Sequence, residues 1–77
     1  MKDLSDMDKD KLKQLGEKIK QLRLSKGLTQ AELANQIGKD QQAIQRLESG
    51  AVNPSYLFLL EVSNGLEIKI TELVEIN

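Results

Sequence analysis

Four polar side chains within six residues could do chemistry in this 77-residue chain: Gln41, Gln42, Gln45 and Arg46. A glutamine amide presents a donor and an acceptor side by side, and can pair bidentately with N6 and N7 of adenine. An arginine guanidinium does the same with O6 and N7 of guanine. Gln42 and Arg46 are four residues apart, so on a helix they stand one turn apart on one face. Ile44 and Leu47 then point the other way. Alone, a pair of glutamines is more often plain solvated surface. Its weight depends on the elements that carry it.

Those elements are readable. Thr29 followed by Glu32 is a capping box that opens a second helix. Leu33, Ala34 and Ile37 supply its inward face, and Gly38 permits the left-handed turn that ends it. Asp40 caps a third helix, with Ala43, Ile44 and Leu47 facing inward and Gly50 closing it. Two short helices meeting at one glycine, the second carrying glutamines and an arginine outward, make a helix-turn-helix with a base-reading helix.

The rest of the chain supports this pair. Leu12, Leu15, Ile19 and Leu22 recur at helical spacing and predict a first helix over about 10–26, with Asp8 or Asp10 as its cap. Residues 1–9 read as a flexible acidic leader, or as an extension of that helix. Asn53-Pro54 resists helix. Ser55 then caps a fourth helix over about 55–65, with Leu59, Val62 and Leu66 as its core stripe. A short last helix over about 70–75 would bury Leu73. The expected organisation is one domain over 10–77.

Composition narrows the function. Aromatics are only 3% of the residues, and cysteine and histidine are absent. Disulfides and the usual zinc sites are therefore excluded, and no cofactor or metal is expected. No catalytic constellation is evident, so an enzyme is the least expected class. No apolar run approaches the ~20 residues of a membrane span, and a cytoplasmic protein without membrane contact is expected. The net charge of −1 disfavours a nucleic-acid partner mildly, but it is unevenly spread: residues 13–50 carry seven Lys or Arg against four acids, while residues 51–77 carry one Lys against four Glu. Local charge governs the field at a DNA surface, because salt screens beyond ~8–10 Å.

The residues Leu22-Arg23, Gly27-Leu28-Thr29-Gln30, Glu32-Leu33-Ala34, Ile37-Gly38, Gln41-Gln42, Ile44, Leu47-Glu48, Gly50, Pro54, Leu59, Leu66 and Leu73 fall in a pattern that resembles the Cro/phage-repressor (XRE-type) helix-turn-helix family. The resemblance covers about residues 12–75. It implies an all-α, compact five-helix lambda-repressor-like DNA-binding domain with its helix-turn-helix at helices 2 and 3. It also implies that helix 3 enters the major groove, with Gln41, Gln42 and Arg46 at base edges and Gln45 adjacent. By the same resemblance, Gln30 contacts a phosphate and Gln41, Ser49 touches backbone phosphate, and Arg23 pairs with Glu48 inside the domain. Local capping is the alternative reading of Gln30 and Ser49.

Three features depart from the family pattern. The loop Ala51-Val52-Asn53 has no cation, Leu57 and Phe58 stand where polar residues are usual, and Gly65 precedes Leu66 where relatives put a glycine after that leucine. The implied function is a DNA-binding transcriptional regulator, acting as a repressor and as a homodimer on duplex DNA. Leu57, Phe58, Val74 and Ile76 are the expected dimer contacts, unless Leu57 or Phe58 folds back against Val52. The alternative is an antitoxin or controller-type protein-binding module on the same scaffold, with a partner such as a toxin.

Overall fold

A computed structural model describes residues 6–74 of the chain and places five helices in the expected order: α1 (Asp6–Ser25), α2 (Gln30–Gln36), α3 (Gln41–Glu48), α4 (Tyr56–Leu66) and α5 (Ile70–Val74). The described residues contain no strand, and no helix among them is long and apolar enough to cross a membrane.

Capping signals within a few residues of each start set most of the boundaries. The Thr29 hydroxyl accepts from the Glu32 amide at 3.0 Å, and the Glu32 carboxylate accepts from the Thr29 amide at 2.8 Å, which closes the capping box of α2. Asp40 accepts from the Ala43 amide at 2.9 Å, and Ser55 accepts from the Phe58 amide at 3.0 Å, which start α3 and α4. Each bond satisfies an amide that the helix leaves without a partner.

The first helix differs from expectation. It starts at Asp6, so residues 6–9 are helical and Asp8 and Asp10 lie inside α1 rather than capping it. The physical reason is that nothing between 6 and 10 breaks a helix, and Asp6 and Asp8 in the first turn favour the positive end of the dipole. The remainder of the expected leader, residues 1–5, lies outside the described residues.

All five helices contribute to one core: Leu15 and Ile19 from α1, Leu33 and Ala34 from α2, Ile44 and Leu47 from α3, Val62 and Leu66 from α4, and Leu73 from α5. Leu22, Ile37 and Leu59 are half-buried against it. Helix α3 is backed by α1 and α2, and α4 packs on α2 and α5. The approach of α1 to α3 needs Gly16. A Cβ there would collide with the backbone carbonyl oxygen of Glu48 and lie 2.6 Å from that of Leu47.

The C-terminal half explains the shifted glycine. A Cβ on Gly65 would lie 2.7 Å from Ile37 Cγ2, so a small residue is needed where α4 meets α2. The residue after Leu66 still adopts the left-handed conformation; here it is Glu67, at φ 60° and ψ 43°.

Phe58 corrects the expected dimer surface. It is half-buried and packs against the core, and it shares a cleft with Val52, which is the fold-back alternative. Phe58 is a helical residue three positions beyond the Ser55 cap, and its ring lies beneath Lys39 at one wall of the cleft beside the α3–α4 loop. Leu57 and Val74 remain exposed, at 63% and 44%. Ile76 lies outside the described residues.

Candidate nucleic-acid interface

Successive α-helical residues advance about 100° around the axis. On α3 the exposed residues Gln41, Gln42, Gln45 and Arg46, with Ser49 just beyond, therefore fall within an arc of about 140°. Ala43, Ile44, Leu47 and Glu48 occupy the opposite side, and the last three are buried. The helix presents a continuous amide-and-guanidinium strip with no apolar side chain in it. Its inward anchors, Ile44 and Leu47, are 0% and 1% exposed.

A polar hub holds the C-terminal end of α3 from behind. The Glu48 carboxylate accepts from Arg23 Nε at 2.7 Å and from Arg23 Nη2 at 3.0 Å, a two-pronged pair between α1 and α3. Arg23 Nη1 also donates to the Leu28 carbonyl at 2.8 Å, which ties the α1–α2 turn to the same guanidinium. Arg23 and Glu48 are 6% and 9% exposed. The hydrogen bond to Glu48 chiefly, and its charge in addition, push the Arg23 guanidinium above its ordinary range, while burial opposes them. The guanidinium therefore stays charged where it braces α3.

Gln30 belongs to that hub. Its Nε2 donates to Glu48 Oε1 at 2.9 Å, and the residue is half-buried. The side-chain nitrogen therefore reaches Glu48 where a contact with Gln41 was expected. Ser49 is exposed, and its hydroxyl donates to the Arg46 carbonyl at 3.1 Å, a local cap at the end of α3.

The front tip of α3 has a different character. Asp40 sits there exposed, immediately ahead of Gln41. The neighbouring Lys39 turns away toward α4, with its Nζ 3.4 Å from a Glu61 carboxylate oxygen and 5.7 Å from the centre of the Phe58 ring. Beyond the other end of the strip, a shallow cleft of about 300 Å³ is lined by Ala43, Arg46, Val52, Pro54 and Phe58.

A helix-turn-helix family model (HTH_3) matches residues 19–73, which takes in the strip, the hub and most of the core. The chain belongs to the XRE-type helix-turn-helix family. Members are DNA-binding transcriptional regulators. It is 38% identical over 65 residues, 84% of each chain, to an uncharacterized HTH-type transcriptional regulator, y4dJ, of Sinorhizobium fredii (strain NBRC 101917 / NGR234). Its fold is similar to the crystal structure of the restriction-modification controller protein C.AhdI from Aeromonas hydrophila. That similarity has a TM-score of 0.82 and 32% identity, over 90% of this chain and 99% of that one.

Within this XRE-type domain, three structural residues had escaped the sequence reading. Gly16 was legible in principle, because a lone glycine inside a helical stripe signals a close approach. Ser63, buried with its hydroxyl on the Leu60 carbonyl, carries no such signal. Neither does the turn of Lys39 toward Glu61.

Proposed function

We propose that this chain represses transcription by binding a specific duplex site as a homodimer and occluding a promoter. The observation that carries this reading is the exposed strip on α3, held rigidly from behind by Arg23, Glu48 and Gln30. In the major groove, Gln41 and Gln42 would read adenine edges and Arg46 a guanine edge, with Gln45 alongside. Gln30 at the first turn of α2 and Ser49 after α3 would lie near the phosphates on either side. The uncharged loop after α3 leaves phosphate affinity to the basic middle of the chain, so binding should weaken steeply with salt.

The homodimer reading rests on Leu57 and Val74, large apolar residues left exposed on α4 and α5. A two-fold axis there would set the two α3 helices about 34 Å apart, one turn of DNA. The solved relative from Aeromonas hydrophila favours one variant of this reading, a controller of restriction-modification genes. Such genes beside this one would support it. Neither relative described above is an antitoxin by name, and a toxin partner has no support.

Binding-site selection with the purified protein tests the proposal. The expected outcome is a two-fold symmetric site, with Gln41→Ala and Gln42→Ala each costing about 1–3 kcal/mol on it and less on unrelated DNA. Failure to enrich any sequence would sink it.

A further inference from the structure

We propose that Asp40 is a further specificity-determining residue. Its carboxylate selects a base bearing an exocyclic amine, cytosine N4 or adenine N6, at the step next to the one read by Gln41. The inference rests on the proposal that the tip of α3 faces base edges.

Three observations carry it. First, the carboxylate is held in place. Asp40 is the N-cap of α3, with extended backbone at φ −90° and ψ 165°, and its Oδ1 accepts from the Ala43 amide at 2.9 Å. An ionised carboxylate offers about four acceptor sites and no donor. The cap uses one, so what remains toward the groove can only accept. Second, the charge is not neutralised. Lys39 precedes Asp40 in the chain, yet its ammonium lies against Glu61 and over the Phe58 ring on α4. No cation among the described residues forms an ion pair with Asp40. Third, the loop beyond the opposite end of α3, Ala51-Val52-Asn53, carries no cation either.

An acceptor-only group at the groove discriminates sharply. Against guanine O6 and N7, or thymine O4, carboxylate lone pairs would face base lone pairs with no proton between them. Against cytosine N4 or adenine N6 they receive a hydrogen bond. Because the cap bond fixes the carboxylate, it cannot swing away from an unfavourable base without unmaking the start of α3.

The test is binding-site selection at one fixed salt concentration with the full chain, its Asp40→Asn variant and its Asp40→Ser variant. Both replacements keep an acceptor for the cap, so both should fold; thermal melts check this. The wild type should prefer cytosine or adenine about tenfold at one position per half-site, beside the Gln41 position. Both variants should reduce that preference to about twofold or less and leave the other positions unchanged. If all three proteins select the same site, the inference is overturned and the DNA-reading proposal stands. If the variants bind every duplex more tightly with no change at one position, Asp40 is a general charge penalty and not a reader, which also overturns it. A wild type that enriches no sequence removes the base-reading helix itself, and this inference with it.

Discussion

Replacing Glu48 by alanine should loosen the whole back of α3. The substitution removes the acceptor of three hydrogen bonds, two from Arg23 and one from Gln30. Arg23 would keep only its bond to the Leu28 carbonyl, with 7% of its side chain exposed. Removing one partner of a buried ion pair typically costs about 3–5 kcal/mol, because the other charge stays desolvated. Here about 2–4 kcal/mol is expected, since neither side chain is fully sealed and Arg23 retains one acceptor. A chain of this length has a total stability of about 4–12 kcal/mol. The loss is therefore a large fraction of the whole, and the melting temperature should fall by about 10–25 °C. Glu48→Gln should lose less, because it can still accept from Arg23. A thermal double-mutant cycle with Arg23→Met and Glu48→Met separates the pair from the packing. Each single change should be costly and the double should cost clearly less than their sum, since an apolar pair can replace a buried ion pair, while the Leu28 carbonyl and the Gln30 amide each lose a partner. The pH dependence follows from the raised Arg23 group: its contribution is fully present below the already high unfolded value and is lost only as pH rises past the folded one. The stability gap between wild type and Glu48→Gln should stay level from about pH 7 to 10. Two small, additive single losses, or a gap that closes within that range, would refute the reasoning.

Other expectations follow from the packing. Gly16→Ala should destabilise by about 1–3 kcal/mol despite alanine's better helix propensity, because its methyl group meets the carbonyls of Leu47 and Glu48; a melt at or above wild type would show that α1 and α3 can part cheaply. Glu67→Gly should stabilise by about 0.5–1 kcal/mol by relieving a left-handed backbone, and denaturant titration would detect a loss if the side chain matters more. Leu57→Glu should weaken self-association in sedimentation with little change in monomer stability, whereas Phe58→Ala should cost about 1–3 kcal/mol by exposing the core edge; the reverse ranking would return Phe58 to the dimer surface.

Much of this architecture is local and was legible without coordinates. Thr29 and Glu32, Asp40 and Ser55 each act on amides within three residues, so the starts of α2, α3 and α4 follow from short-range chemistry. Helical spacing likewise separated Ile44 and Leu47 from Gln41, Gln42 and Arg46, because a fixed angular step per residue needs no tertiary information. The family pattern added the Arg23–Glu48 pair, 25 residues apart. The start of α1 was less legible because the apolar stripe that marks this helix begins only at Leu12, beyond its acidic first turn.

What only the tertiary structure decided is where side chains go when elements from distant parts of the chain meet. Gln30 reaches Glu48 across 18 residues, Lys39 turns from Asp40 to Glu61 on α4, and Phe58 packs against the core at the cleft it shares with Val52. A long side chain has several partners within reach, and its choice follows from the packing of helices around it. The sequence by itself determined which residues of α3 face outward; the packing of α1 and α2 behind that helix determined how firmly they are held, and the pull of α4 on Lys39 determined which charge remains at its tip.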